Sequence, residues 1–545
     1  MPATSLSNQL KALAGNRPPP TKGKVSLLFS GRQAADLDKD TLFAIGRDGL
    51  NELTGQNQRF AEFEETLFAE GIKSFDRTLQ TKADNAKLDA SIQKFLRLLS
   101  PYFLQQSSFK VLEWLLRRFR VHEFNVDSML ECILPYHETK QFAQVLSVLA
   151  ISDTARWSFL SALQKTKTPL DRTSLVQRCV ADHSILHFMC NMATAARAAV
   201  IVHRTMFSFF TCTVLQYIQS IPSVTDADVH MLLPTLFEFL KLSDPRWADL
   251  QSAAQIIVAQ IAQRVALDED VVQTIVGVAA TGATETNLEA TLLFWMALCQ
   301  SQKSFDSFPE SAVLELLGVG GQLTKIFTKI GREYDAEKFL RPVIIAAVQS
   351  IKEDSLASEA AELVESIIRD AKISPAFATS LCDAIFTQYL SNPQPQQPSE
   401  DENDEDEDDK PVELLRKLIA RLHTKFPKEV DAHLESRLQT ENKKRRNILF
   451  DFISNTFKGT LHEPIKELKT TLYLSLQHPE PSVRRMAVQK LATLVSNSDS
   501  LPDFTEDVIL DRLGDDNEKV LAAVLAVSKL EEVVEGAKLV RALQG

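Results

Sequence analysis

Apolar residues recur at helical spacing, stop, and recur again from about Asp40 to the end of this 545-residue chain, and no stretch alternates as a strand would. A chain this long outgrows one hydrophobic core, so it must divide into domains or run as an array of stacked helices. The stretch 84–99 places Leu88, Ile92, Phe95 and Leu99 on one stripe, and Ser100-Pro101 stops it. Ser107-Ser108 then opens a second helix, whose Val111, Trp114, Leu115 and Phe119 face inward. The same antiparallel pair is expected at 226–242 with 245–265, at 335–351 with 355–373, and at 376–390 after Ser374-Pro375. Pro234 and Pro342 fall inside two of these helices and predict a kink or a split there. Only 17 glycines, and aromatics that are mostly Phe, 31 in all, argue against a barrel or sandwich. The fold class expected is all-α.

A fixed period distinguishes a bundle from a solenoid. Sliding the stretch from Leu472 by 37 residues lays Leu472 on Ile509, Leu476 on Leu513, Val483 on Val520 and Val488 on Leu525. The polar hinges coincide as well, His478-Pro479-Glu480-Pro481 with Asp515-Asp516-Asn517-Glu518. Pro481-Ser482-Val483-Arg484-Arg485-Met486-Ala487 resembles the second-helix opening of a HEAT repeat, and the stretch from Asp516 to Val520 looks like another copy. In such a unit Pro481 or Asp516 starts the helix, Val483 or Val520 docks into the neighbouring repeat, and Arg484 bridges to a nearby acidic group. The expected architecture is a HEAT-like α-solenoid of antiparallel helix pairs.

Four segments follow. Residues 1–25, with Pro18-Pro19-Pro20, read as a flexible arm; 26–390 as an N-terminal solenoid; 391–410 as a disordered insert; and 411–545 as C-terminal repeats without a polar capping repeat, expected to continue in a longer protein. The insert combines Pro393, Pro395 and Pro398 with nine acids between Glu400 and Asp409, which read as a solvated run. Those nine account for most of the net charge of −12, so charge alone neither suggests nor forbids a nucleic acid partner. Six scattered cysteines look like reduced core thiols. Neither a secretory leader nor an apolar run of about 18 residues is legible, and no membrane partner is expected.

The search for chemistry yields no enzyme. Cys179, His183, His187 and Cys190 follow at steps of four, four and three, which on one helix would spread them over more than two turns, too far to converge on one metal ion. Gly318-Val319-Gly320-Gly321 lacks the strand and the Lys-Ser/Thr of a phosphate loop and reads as a helix–helix turn. No nucleophile elbow occurs, and no catalytic residue, metal, cofactor or small-molecule substrate is expected. Lys443-Lys444-Arg445-Arg446 reads either as a solvated helix face or as a localisation signal or RNA phosphate contact. Arg117, Arg118 and Arg120 alternate with apolar neighbours on an amphipathic helix.

The blocks Asp40-Thr41-Leu42-Phe43-Ala44-Ile45-Gly46, Gln80-Thr81-Lys82, Leu112-Glu113-Trp114-Leu115-Leu116-Arg117-Arg118-Phe119 and Leu134-Pro135-Tyr136 occur in this order. Together they resemble the N-terminal region of the large nucleolar HEAT-repeat family of the small-subunit processome, the particle built on U3 small nucleolar RNA. The resemblance is dense over about residues 40–140, thin through the middle, and weaker again near 476–479 and 512–517. It implies a non-catalytic scaffold in pre-ribosomal RNA processing and 40S assembly, located in the nucleus and nucleolus, with a link to ribosomal DNA transcription. The implied partners are WD-repeat propeller proteins and the 5′ external transcribed spacer of pre-ribosomal RNA, contacted directly or indirectly. Within that reading the partner surface is expected at Trp114, Arg117, Arg118 and Arg120, and at the turn of Tyr136, His137 and Glu138; inter-repeat core is the competing reading for Trp114 and Tyr136. A HEAT-repeat nuclear transport receptor is the alternative, and the N-terminal blocks do not match it.

Overall fold

The computed structural model describes residues 25–544, apart from 153–155, 303, 304, 306, 321, 353–355, 392–409, 458–463, 466–469, 498–504, 528, 529, 531–533 and 535. The N-terminal arm through residue 24 and nearly all of the Pro/acidic insert lie outside the described residues. The chain folds as two compact units, Met1–Val265 and Ala266–Gly545. The helices that flank the insert in sequence, Pro375–Ser391 and Lys410–Lys425, both belong to the second unit and pack on each other.

The fold is an all-α, HEAT-like stack. Each helix packs against its next neighbour but one, because a short loop reverses the chain and the following loop returns it to the first layer. In the second unit Glu310–Val319, Glu337–Gln349, Pro375–Ser391 and Pro427–Thr440 pack in succession on one side, and Leu323–Glu333, Ala357–Asp370 and Lys410–Lys425 on the other. The first unit pairs Lys39–Gln56 with Gln106–Phe119, Arg172–Ala181 with Arg204–Ser220, and Arg204–Ser220 in turn with Ala248–Arg264. Capping sets the starts: Asp38, Thr81, Thr139, Asp171 and Thr225 each accept from an amide in the first turn.

Three expectations need correction, while the helices Asp226–Leu240 and Glu337–Gln349 run unsplit through Pro234 and Pro342, with Leu232 and Leu236 in one and Val343 and Ile344 in the other buried around the missing amide. A two-residue antiparallel ladder, Pro464 opposite Thr471 and Ile465 opposite Thr470, interrupts the helices. Cys179 and His183 do not share a helix, since Asp182 takes an extended conformation and caps the next one through Ser184. In the C-terminal repeats, Asn517 rather than Asp516 caps the Glu518–Leu525 helix, and Leu525, expected at the position equivalent to buried Val488, is 48% exposed while its neighbour Val524 is buried. Gly320, at φ 93, turns the chain after Glu310–Val319, a backbone region that a Cβ disfavours.

Two anchors fix the first unit. Glu113, fully buried on Gln106–Phe119, accepts from the Leu27 amide at 2.6 Å and from the Leu28 amide at 3.3 Å, while Gln144 donates to the Leu27 carbonyl at 2.7 Å. Gly46 and Gly49 bring Lys39–Gln56 so close to Gln106–Phe119 that a Cβ on Gly46 would lie 2.7 Å from Trp114 Cβ.

Candidate functional site

The residues singled out on the Gln106–Phe119 helix are inward-facing or internally bonded. Trp114 is 2% exposed, meets Phe43 edge-on at 5.3 Å, and donates from Nε1 to the Leu67 carbonyl at 3.0 Å. Arg117 donates to the Ala34 carbonyl at 2.7 Å, and Arg118 to the Lys73 carbonyl at 3.0 Å. Arg120 ends the helix in the left-handed region and pairs with Glu123. A partner surface on Trp114 is thus corrected to core: the indole fills the groove that Gly46 opens.

The turn of Tyr136, His137 and Glu138 is placed differently, lining a cleft of about 560 Å³ with Leu104, Arg172, Arg204, Thr205 and Ser208. Tyr136 (7% exposed) and His137 (2%) form its floor, and Glu138 stands exposed at its rim. Tyr136 Oη donates to the Ser100 carbonyl at 2.8 Å. His137 exchanges two bonds with Leu170: its Nδ1–H donates to the Leu170 carbonyl at 2.7 Å, and the Leu170 amide donates back at 2.8 Å. Burial holds the His137 imidazolium below its ordinary pKa, against the Leu170 carbonyl and Glu138, which favour it. The ring is therefore neutral near pH 7, with its proton on Nδ1.

Beneath the cleft, Ser100 Oγ donates to the Cys132 carbonyl at 2.8 Å and takes a bond from His203 Nε2 at 2.9 Å. His203 Nδ1 accepts from the Met206 amide at 3.4 Å and so caps the Arg204–Ser220 helix. Both contacts require the neutral Nε2–H form, and burial lowers the His203 pKa to about 4.

Arg172 and Arg204 carry the charge of the cleft, and neither was singled out in the sequence. Each is the first residue of its helix, after Asp171 and His203. That local signal is legible; the convergence of two helix starts 32 residues apart is not. Arg172 lies 3.4 Å from Glu138, and Arg204 3.2 Å from Asp249, both as exposed pairs.

In the second unit Lys443, Lys444 and Arg445 are exposed and Arg446 half-buried in the first turn of Lys443–Thr456. Cations at a helix N-terminus oppose the helix dipole, so stability does not explain their placement. Arg484 forks onto Asp515 at 2.7 and 2.8 Å and donates to the His478 and Pro479 carbonyls, tying one helix-pair hinge to the next. Val520 is buried, whereas Val483 and Pro481 are half-buried. Cys179 and Cys190 are buried, with thiol pKa values pushed up to about 12, while His187 is exposed beside Asn191. Among the described residues no cluster of three His, Cys, Asp or Glu side chains could hold a metal ion, and no helix is long and apolar enough to cross a membrane.

Stacked helix pairs, with Arg484 tying one hinge to Asp515 in the next, define a HEAT-type helical-repeat protein. A family model described as U3 small nucleolar RNA-associated protein 10 matches residues 229–347, a stretch where the sequence motifs are thin. HEAT repeat-containing protein 1 of Danio rerio is 30% identical over 560 residues, covering 96% of this chain and 25% of that protein. The Homo sapiens protein of the same name is 30% identical over 559 residues, 97% of this chain and 25% of its own length. U3 small nucleolar RNA-associated protein 10 of Aspergillus oryzae is 26% identical over 368 residues, 64% of this chain and 20% of that protein. The chain belongs to this family of HEAT-repeat, U3 small nucleolar RNA-associated proteins. It spans about a quarter of the length of the curated relatives it matches.

Proposed function

We propose that the chain is a non-catalytic scaffold segment of the small-subunit processome, working in the nucleolus on pre-ribosomal RNA processing and early 40S assembly. Similarity to HEAT repeat-containing protein 1 along 96% of the chain carries the reading. The name of the fungal relatives, which states association with U3 small nucleolar RNA, supports the assignment to that particle. A stacked array suits the role, because it exposes a long continuous surface for many modest contacts. In this reading the partners are WD-repeat propeller proteins and the 5′ external transcribed spacer. The rim of the Glu138 cleft serves as partner surface in the first unit, and Lys443, Lys444, Arg445 and Arg446 serve as phosphate contact or import signal in the second.

The test is to tag the chain in cells, purify it in mild salt, and identify the proteins and RNA that accompany it. Propeller subunits with 5′ spacer RNA are the expected result. A Ran-type GTPase with diverse cargo would instead make the chain a transport receptor and refute the scaffold.

A further inference from the structure

The cleft under Glu138 presents an unusual demand for a ligand. Arg172 and Arg204 open it from two helix starts, and the hydroxyl-bearing Thr205 and Ser208 continue the first turns of the Arg204–Ser220 helix along its wall. Amides and dipoles at helix starts favour negative charge, and guanidinium groups recognise phosphate oxygens. The carboxylates beside the two arginines are exposed, and exposed pairs contribute little, so an incoming anion displaces them readily. Arg204 is 85% exposed at its side chain, and the buried Nε of Arg172 has no acceptor among the described residues.

The floor adds an independent requirement of opposite kind. His137 is buried and held by Leu170 through Nδ1, and its Nε2 has no hydrogen-bond partner among the described residues. In the neutral ring that nitrogen is an acceptor, open to a donor that a ligand brings and that a phosphate dianion lacks. A ligand that meets both ends carries an anionic group for the arginines and a hydrogen-bond donor, such as a hydroxyl, for the histidine. Leu104, half exposed at the rim, offers an apolar face beside them.

Resting on the scaffold reading and deepening it, we propose that this cleft binds single-stranded RNA. Arg172 and Arg204 hold backbone phosphates, and His137 Nε2 accepts a ribose 2′-hydroxyl. The 2′-hydroxyl is the group by which a protein tells RNA from DNA. An acidic peptide also carries anions and, in its backbone amides, donors, so competition by oligoglutamate decides between the two.

The experiment titrates the whole chain with a fluorescent twelve-nucleotide oligouridine and with its deoxy counterpart, across a series of salt concentrations, with oligoglutamate as competitor. The ribo-oligomer should bind more tightly than the deoxy form. Arg204→Gln should weaken it by about tenfold, the order expected for a lost charge-assisted contact, and lower the salt slope by roughly 0.7. The His137 ring lies 5.3 Å from that of Phe209; His137→Phe, which keeps a ring there, should abolish the preference for RNA while leaving phosphate-driven binding. Equal affinity of the unaltered chain for the two oligomers overturns the 2′-hydroxyl contact without recourse to any variant. Unchanged affinity and slope in an Arg172→Gln/Arg204→Gln chain overturns the site, and displacement of RNA by oligoglutamate at matching charge makes the cleft a protein-docking surface instead. If the tagged chain recovers no pre-ribosomal RNA from cells, the scaffold reading fails. If recovery is normal while the double variant titrates like the unaltered chain, only the cleft assignment fails.

Discussion

Replacing Gly46 by alanine tests whether the first unit is set by close approach of two helices. Its Cβ would lie 2.7 Å from Trp114 Cβ and 2.9 Å from Trp114 Cγ, where carbon atoms ordinarily sit at about 3.5–4.0 Å. Trp114 cannot yield easily: Phe43 packs on it, and its indole N–H is fixed to the Leu67 carbonyl. The helices must therefore separate by nearly 1 Å, and overpacking of this kind costs about 1–3 kcal/mol. Alanine recovers about 1 kcal/mol of helix propensity, leaving a net loss of roughly 0–2 kcal/mol. Gly55, on the same Lys39–Gln56 helix, has nothing within 4 Å of its would-be Cβ, so Gly55→Ala carries the propensity gain alone. Amide hydrogen exchange on residues 39–56 and 106–119 reads both variants locally, which suits a chain of two units better than a global melt. Gly46→Ala should speed exchange by up to about 30-fold and Gly55→Ala should slow it. Protection raised in both variants alike would refute the close-approach argument.

Three further outcomes follow from the same geometry. His203 is neutral when folded, with a pKa near 4 against an ordinary 6.5, so its contribution is present above 6.5 and is lost as pH falls toward 4. The shift corresponds to about 3 kcal/mol, and hydrogen exchange of the Arg204–Ser220 helix at pH 7 and pH 5 should show the loss, flattened in His203→Asn. Arg484→Ala strips the fork from Asp515, leaving that buried carboxylate only Arg512 and the Asn517 amide; a loss of about 1–3 kcal/mol is expected by denaturation of the C-terminal repeats, and a silent variant would show that this link does not hold the hinges together. Glu113→Ala orphans the Leu27 and Leu28 amides, so limited proteolysis near residue 27 should accelerate about 5–30-fold, for a loss of about 1–2 kcal/mol, with the helices beyond it unaffected.

Much of the architecture was legible in residue order. The stripe of Ile92, Phe95 and Leu99, the stop at Ser100-Pro101 and the 37-residue echo of Leu472 and Leu476 announce stacked helices, because burial at period 3.6 and capping are local properties. The partner of 84–99 was not legible: Lys82–Leu99 packs on Val126–Ile133, and Gln106–Phe119 on Lys39–Gln56. The N-terminal blocks likewise pointed to the family that the comparisons establish. Side-chain exposure was less accessible. Trp114 reads equally as an anchor for a partner or as core, and the close approach at Gly46, remote in sequence, makes it core.

The candidate site was the least legible. Glu138 was noticed beside Tyr136 and His137, but Arg172 and Arg204 look like ordinary first residues of ordinary helices. The sequence by itself determined that the chain is a helical array of this family, since periodicity, caps and motif order are written along the chain. Only the tertiary structure decided that two helix starts open on one cleft over a half-bonded histidine. Convergence depends on how successive pairs stack, and stacking is set by side-chain volumes meeting across helices rather than by any neighbour in sequence.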